Sequence, residues 1–185
     1  MPRPRNQSDD EILNRIATRL SSTTWTLADA ADAAGVHPAT LIKRFGSRHG
    51  VLVALSRRWI EGIPTDAADG GGLSELEAWA VASSQASRDR AGALAGLTML
   101  MEDLRDEELA DLLRQGWERQ AAYVALLVEQ SQEEGLLLHA PPPLRAAELL
   151  LDVGHGALLR AAAQQRSRHA VDSASTLIAL LESWT

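Results

Sequence analysis

The sequence predicts an all-α fold, with an N-terminal three-helix helix-turn-helix head, a larger helical body and about nine helices altogether. Three observations carry that expectation. Ala and Leu dominate a chain that is 45% apolar but only 4% aromatic, which suits helices packed through small and leucine side chains. Apolar residues recur at i, i+3 and i+4 over most of the length, and no stretch alternates with the two-residue period of a half-buried strand. Charge is divided unevenly. Residues 1–60 hold nine Lys/Arg against five Asp/Glu, and residues 61–185 hold nine against twenty. The polar, glycine-rich stretch PTDAADGGG at 64–72 lies between the two regimes and reads as a connection, so the expected domains are 1–60 and 61–185.

The head is justified element by element. A first helix over 8–21 begins with Asp9, Asp10 and Glu11, which suit the positive end of a helix, and carries Ile12, Leu13, Ile16, Ala17 and Leu20 on one face. Thr26, with Asp29 three residues on, forms a capping box for a second helix, LADAADAA, which Gly35 ends. His37 stands at the N-cap and Pro38 at the first position of a third helix, PATLIKRF, closed by Gly46. Ser47 caps a fourth, RHGVLVALSRRWIEGI, which Pro64 terminates. In the body, helices are expected at 73–88, 90–104, 106–134, 143–165 and 168–184, with Asp106 as a cap and Gly135 as a stop for the long seventh one.

Several function classes are disfavoured. There is no cysteine, so no disulfide framework and no thiolate metal site. No apolar run approaches the roughly 18 residues of a membrane span. The opening MPRPRNQSDDEIL has no apolar core of a signal peptide, so a cytoplasmic protein is expected. No glycine-rich phosphate loop or Ser–His–Asp spacing is visible, and GLTML and GHGALL read as helix packing, so neither an enzyme nor a cofactor is expected.

Two short helices joined through Gly35 and braced by a preceding helix meet the requirements of a helix-turn-helix. Ala31 and Ala34 allow a close crossing, and Val36 and Leu41 fill the angle. Residues 9–55 resemble the N-terminal domain of the tetracycline-repressor (TetR) family of transcriptional regulators. The resemblance lies in the threonine opening helix two, AADAAGV at the turn, TL followed four residues later by Phe45, and SR…GVLVAL opening helix four. It implies a homodimeric, ligand-responsive regulator, a repressor by family default, which binds a palindromic double-stranded DNA operator and is released by a small-molecule effector. The alternative is a helical binding or scaffold protein of the same fold whose head has lost DNA binding. Three positions depart from the family pattern: Ile42 replaces a phosphate-holding tyrosine, His49 an acidic residue, and His37 a small polar one.

From these features DNA contact is expected at Thr26, His37, Pro38, Thr40, Lys43 and Arg44, with Arg48 reaching a phosphate at the start of helix four. Arg3 and Arg5 sit in an arm that suits a minor groove or simply solubilises the chain. For the body, Trp79 and Trp117 with Leu97, Met101 and Val124 are the candidate ligand lining, although aromatics on an apolar stripe are more often core. Asp152 and His155, at i and i+3, suit a metal or a polar ligand, but with no second ligand pair no metal site is expected and a satisfied polar pair at a helix interface is the commoner arrangement. Trp59 is expected to pack helix four against the body. In the family the last two helices pair about a two-fold axis. That implies a dimer interface from Leu149, Val153, Gly156, Ala157, Ala161, Leu177, Ile178, Leu181 and Trp184.

Overall fold

A computed structural model of the chain describes residues 7–20, 25–68, 70–85, 89–163 and 173–185. Among them are nine helices and no strand: α1 (Asp9–Arg19), α2 (Leu27–Ala34), α3 (Pro38–Phe45), α4 (Arg48–Glu61), α5 (Gly72–Ser83), α6 (Arg90–Asp103), α7 (Glu107–Glu133), α8 (Pro143–Ala163) and α9 (Ser173–Glu182).

The helix starts follow from local chemistry. Ser8 and Glu11 satisfy each other's backbone N–H groups at 3.1 and 3.0 Å, and Thr26 and Asp29 do the same at 3.2 and 2.7 Å. His37 Nδ1 accepts from the Ala39 N–H at 3.2 Å, Ser47 Oγ from Gly50 at 3.1 Å and Asp106 Oδ1 from Leu109 at 3.0 Å. At the end of α2, Gly35 takes φ +68°, which lets the Val36 N–H reach back to the Ala31 carbonyl at 2.9 Å. That left-handed residue sets the angle between α2 and α3.

Ends are less regular. α1 stops at Arg19, short of the expected Ser21, because Leu20 is already extended. α5 stops at Ser83, short of the expected 88, and residues 86–88 lie outside the described set. The expected starts of α9 at 168 and end of α8 at 165 also fall outside it.

Buried residues gather in two clusters. The first joins Ile12, Leu13 and Ile16 of α1, the alanines of α2, Leu41 of α3 and Val51–Val53 of α4, and it runs on to Leu109 and Leu112 of α7. The second joins α5, α7, α8 and α9 around Leu76, Val124, Leu127, Leu150 and Leu177. α7 therefore contributes to both, packing on α4 near its start and on α5 and α8 further along. Trp59, on α4, lies directly against the backbone of Gly116 on α7; a methyl group there would overlap its ring. The expected packing of α4 on the body by Trp59 is thus realised through a glycine.

Candidate nucleic-acid interface and ligand cavity

α3 is pinned to the head by Leu41, which is fully buried, and turns its other side outward. His37, Ala39, Ile42 and Lys43 are exposed there, with Pro38 and Thr40 half-buried beside them. Ile42 is 53% exposed, so it belongs to the outer face of the helix and not to the head's core. His37 also serves as the N-cap, and Thr26 is engaged in its capping box with Asp29. Arg3 and Arg5 lie outside the described residues.

Two arginines expected to meet DNA are turned elsewhere. Arg44 folds back on α1, its Nη1 donating to the Gln7 carbonyl at 2.6 Å and to Asp9 Oδ1 at 2.8 Å. Arg48 stacks 4.5 Å from the centre of the Trp25 ring and donates from Nε to the Trp25 carbonyl at 2.8 Å. Its two Nη groups grip both carboxylate oxygens of Glu102 at the end of α6, Nη2 to Oε2 at 2.9 Å and Nη1 to Oε1. This fork-to-fork pairing, with the bond from Nε, engages three of the five guanidinium N–H donors within the chain. The basic count of the head, legible in sequence, therefore overstates the charge that α3 and the start of α4 present.

Further contacts extend the junction. His49 Nε2 lies 3.2 Å from Asp106 Oδ1, and Arg57 reaches Glu108 at 3.2 Å. Glu102 is held below the usual carboxylate range by its hydrogen bonds from Arg48. Asp106 is held down too, first by the Leu109 N–H and then by His49. Asp103 goes the other way: burial, with Glu102 and Asp106 nearby, pushes it up to about 6.

A cavity of about 300 Å³, partly open, lies between four helices. Trp59 of α4, Trp79 and Ser83 of α5, and Trp117 and Gln120 of α7 face Leu150, Leu151, Gly154, His155 and Leu158 of α8. It adjoins a wider cleft of about 880 Å³ beneath the head, whose walls share Trp59, Trp79 and Gln120 and include Arg58, Glu61 and Tyr123. Tyr123, which donates to Glu75 at 2.7 Å, is pushed up to about 12 by burial and by that bond. The Trp117 and His155 ring centres are 5.0 Å apart, and burial lowers the His155 pKa, so its imidazole is neutral near pH 7.

Of the expected ligand residues, Trp79, Trp117 and His155 come together in this cavity. The other four do not line it. Val124 is fully buried in the core behind it, Met101 is 48% exposed, Leu97 is half-buried on α6, and Asp152 faces outward. No group of three metal-ligating side chains occurs among the described residues. The other seven lining residues, Trp59, Gln120 and Gly154 among them, carry no motif that marks them as lining in the sequence. The α8 row at 150, 151, 154, 155 and 158 has helical spacing, and the expected packing of α4 on the body brings Trp59 to face it.

The expected dimer residues divide in the same way. Leu177, Leu181 and Trp184 are consumed by the chain's own core, because α9 packs into the angle between α5 and α8, and Ala157 is buried as well. The Trp184 carbonyl even accepts from the His139 N–H at 2.8 Å, tying the C-terminus to the α7–α8 loop. Leu149, Val153, Gly156, Ala161 and Ile178 keep part of their surface free.

No family model and no curated relative matches the sequence. Solved structures do match it. It is similar over 95% of its length to a protein from Rhodococcus sp. described as a TetR-family transcriptional regulator, covering 97% of that chain at 22% identity and a TM-score of 0.64. It is similar to a TetR transcription regulator from Haloarcula marismortui over 95% of this chain and 96% of that one, at 18% identity and a TM-score of 0.69. GusR of Salmonella enterica aligns with 95% of this chain and 93% of its own, at 20% identity and a TM-score of 0.61. No helix among the described residues is long and apolar enough to cross a membrane. Nine helices, a helix-turn-helix at the N-terminus and these neighbours agree on one architecture: the chain has the fold of the TetR-family transcriptional regulators.

Proposed function

We propose that the protein is a non-enzymatic, cytoplasmic, DNA-binding transcriptional regulator that works as a homodimer, represses from a palindromic operator and is released by a small-molecule effector. The observation that carries this reading is the outward face of α3, where His37, Ala39, Ile42 and Lys43 stand exposed on a helix whose inner face is locked by Leu41. A short helix held in this way is shaped for a major groove. Two copies must present their recognition helices about 34 Å apart to meet successive grooves. The cavity in the body supports a route for control, since Trp59 lines it and sits on α4, the helix that also carries Arg48 at the head. An effector moves such an equilibrium only by its difference in affinity for the two arrangements.

The second reading, a helical binding protein with a silent head, is favoured by one observation, the internal pairing of Arg44 and Arg48. Titration of duplex DNA at several salt concentrations separates the two. For a regulator, log affinity falls linearly with log salt, by about 0.9 for each phosphate neutralised. Binding that is too weak to measure at low salt, or that ignores salt, overturns the regulator reading.

A further inference from the structure

The cavity under α4 has a chemical character that narrows its ligand. Its walls are three indoles delivered by three different helices, Trp59, Trp79 and Trp117. None of its ten described lining residues is Lys, Arg, Asp or Glu. The α8 side is a row at helical spacing, and Gly154 stands at its centre with leucines one turn before and after. A side chain grown from Gly154 would meet nothing within 4 Å, so the space in front of it is open.

We propose that this cavity binds a neutral, planar aromatic molecule of two or three fused rings. Each part of that description has its own cause. Indoles favour a flat π-system over a flexible chain because offset and edge-on stacking adds to simple burial. A charged ligand would be desolvated with no counter-charge on the described walls, which is costly. The volume, about 300 Å³, lies at the small end for ligand pockets. His155, kept neutral by burial, adds a polar edge without adding charge. The ligand's role as effector rests on the regulator reading; the chemistry of the site does not.

Equilibrium dialysis of the full chain against four probes tests this. Coumarin is neutral and planar; 2-naphthoate and N-methylquinolinium are its anionic and cationic counterparts in size, and 1-decanol is neutral but flexible. Coumarin should bind one per chain and at least tenfold more tightly than each of the others. Gly154→Leu should weaken coumarin at least tenfold with an unchanged circular dichroism spectrum, since leucine fills open space and is a better helix former than glycine. Trp117→Leu, which keeps an apolar wall and removes a π-face, should weaken it severalfold. Tighter binding of a charged probe or of decanol overturns the proposal. So does no binding of coumarin, or full affinity in Gly154→Leu. Adding duplex DNA to the same samples keeps the two readings apart: coumarin bound by a protein that ignores DNA counts against the regulator and supports the site.

Discussion

Arg48 shows how a cation at a helix start can be engaged within its own chain. Its ion pair with Glu102 joins residues 54 apart in the chain, and both side chains are about a third exposed, at 31% and 34%. Solvent screens such a pair, so a double-mutant cycle over Arg48→Ala and Glu102→Ala should give a coupling on the order of 1 kcal/mol in urea unfolding. The salt slope of DNA binding should be the same for Arg48→Ala as for the wild type. A slope flattened by about one would return Arg48 to a phosphate. Asp103 offers a second test at the same junction. Its native carboxyl holds a proton up to about pH 6, well above the unfolded value of 3.8, so the native state binds more protons between those values. Stability therefore falls as pH rises through that window, and the penalty is complete above it. Asp103→Asn removes the penalty. It should stabilise the protein at pH 7 by about 1–2 kcal/mol, allowing for partial exposure, and change little at pH 3. Equal effects at both pH values would show that its charge is not the cause.

Helices in this protein are coupled by contacts that allow little slack. α4 meets α7 where the Trp59 ring rests on Gly116, and no side chain larger than hydrogen fits between them. Gly116→Val should force the indole aside and cost about 1–3 kcal/mol by overpacking, read as a lower urea midpoint with an unchanged slope. Because Trp59 also walls the cavity, the same variant should alter coumarin affinity, whereas a change confined to α9 should not. An unchanged midpoint would mean that α4 and α7 can separate freely, and Trp59 would then be a poor transmitter. The junction of α4 with α6 and the start of α7 is of another kind, built from Arg48, His49 and Arg57 against Glu102, Asp106 and Glu108. Apolar packing by Trp59 and the ion pairs of Arg48, His49 and Arg57 both fasten α4, and salt should act on the ion pairs more than on the packing.

At the scale of the whole molecule, the fold provides a single chain with α8 partly uncovered. A two-fold dimer places the same patch against itself, and the small residues Gly156 and Ala161 on that helix would let two backbones come close. Ala157 is the wrong place to test this, because it is 4% exposed and a charge there would strike the protomer's own core. Gly156 is the better one, since the only neighbour of an added carbon is the flexible end of Arg160 at 3.4 Å. Gly156→Glu should leave each protomer helical and weaken dimerisation by about 100-fold, roughly 2.8 kcal/mol, measured by sedimentation. Operator affinity should fall with it, because one head loses the effective concentration of a linked pair. A variant that stays dimeric would move the interface away from α8.

What the sequence alone determined is local. Ser8, Thr26, His37, Ser47 and Asp106 act on N–H groups two or three residues away, so each N-cap and the left-handed stop at Gly35 could be read directly. Helical spacing likewise placed Leu41 on the packed side of α3, where it is fully buried. Only the tertiary structure decided which cations are committed and which apolar faces are already used. Arg44 meets a residue 35 positions away, Arg48 one 54 away, and Trp184 seals a core assembled from α5, α7, α8 and α9. The reason is physical. A cap or a helical face is set by backbone geometry within one or two turns, whereas an ion pair or a buried indole depends on how distant helices cross.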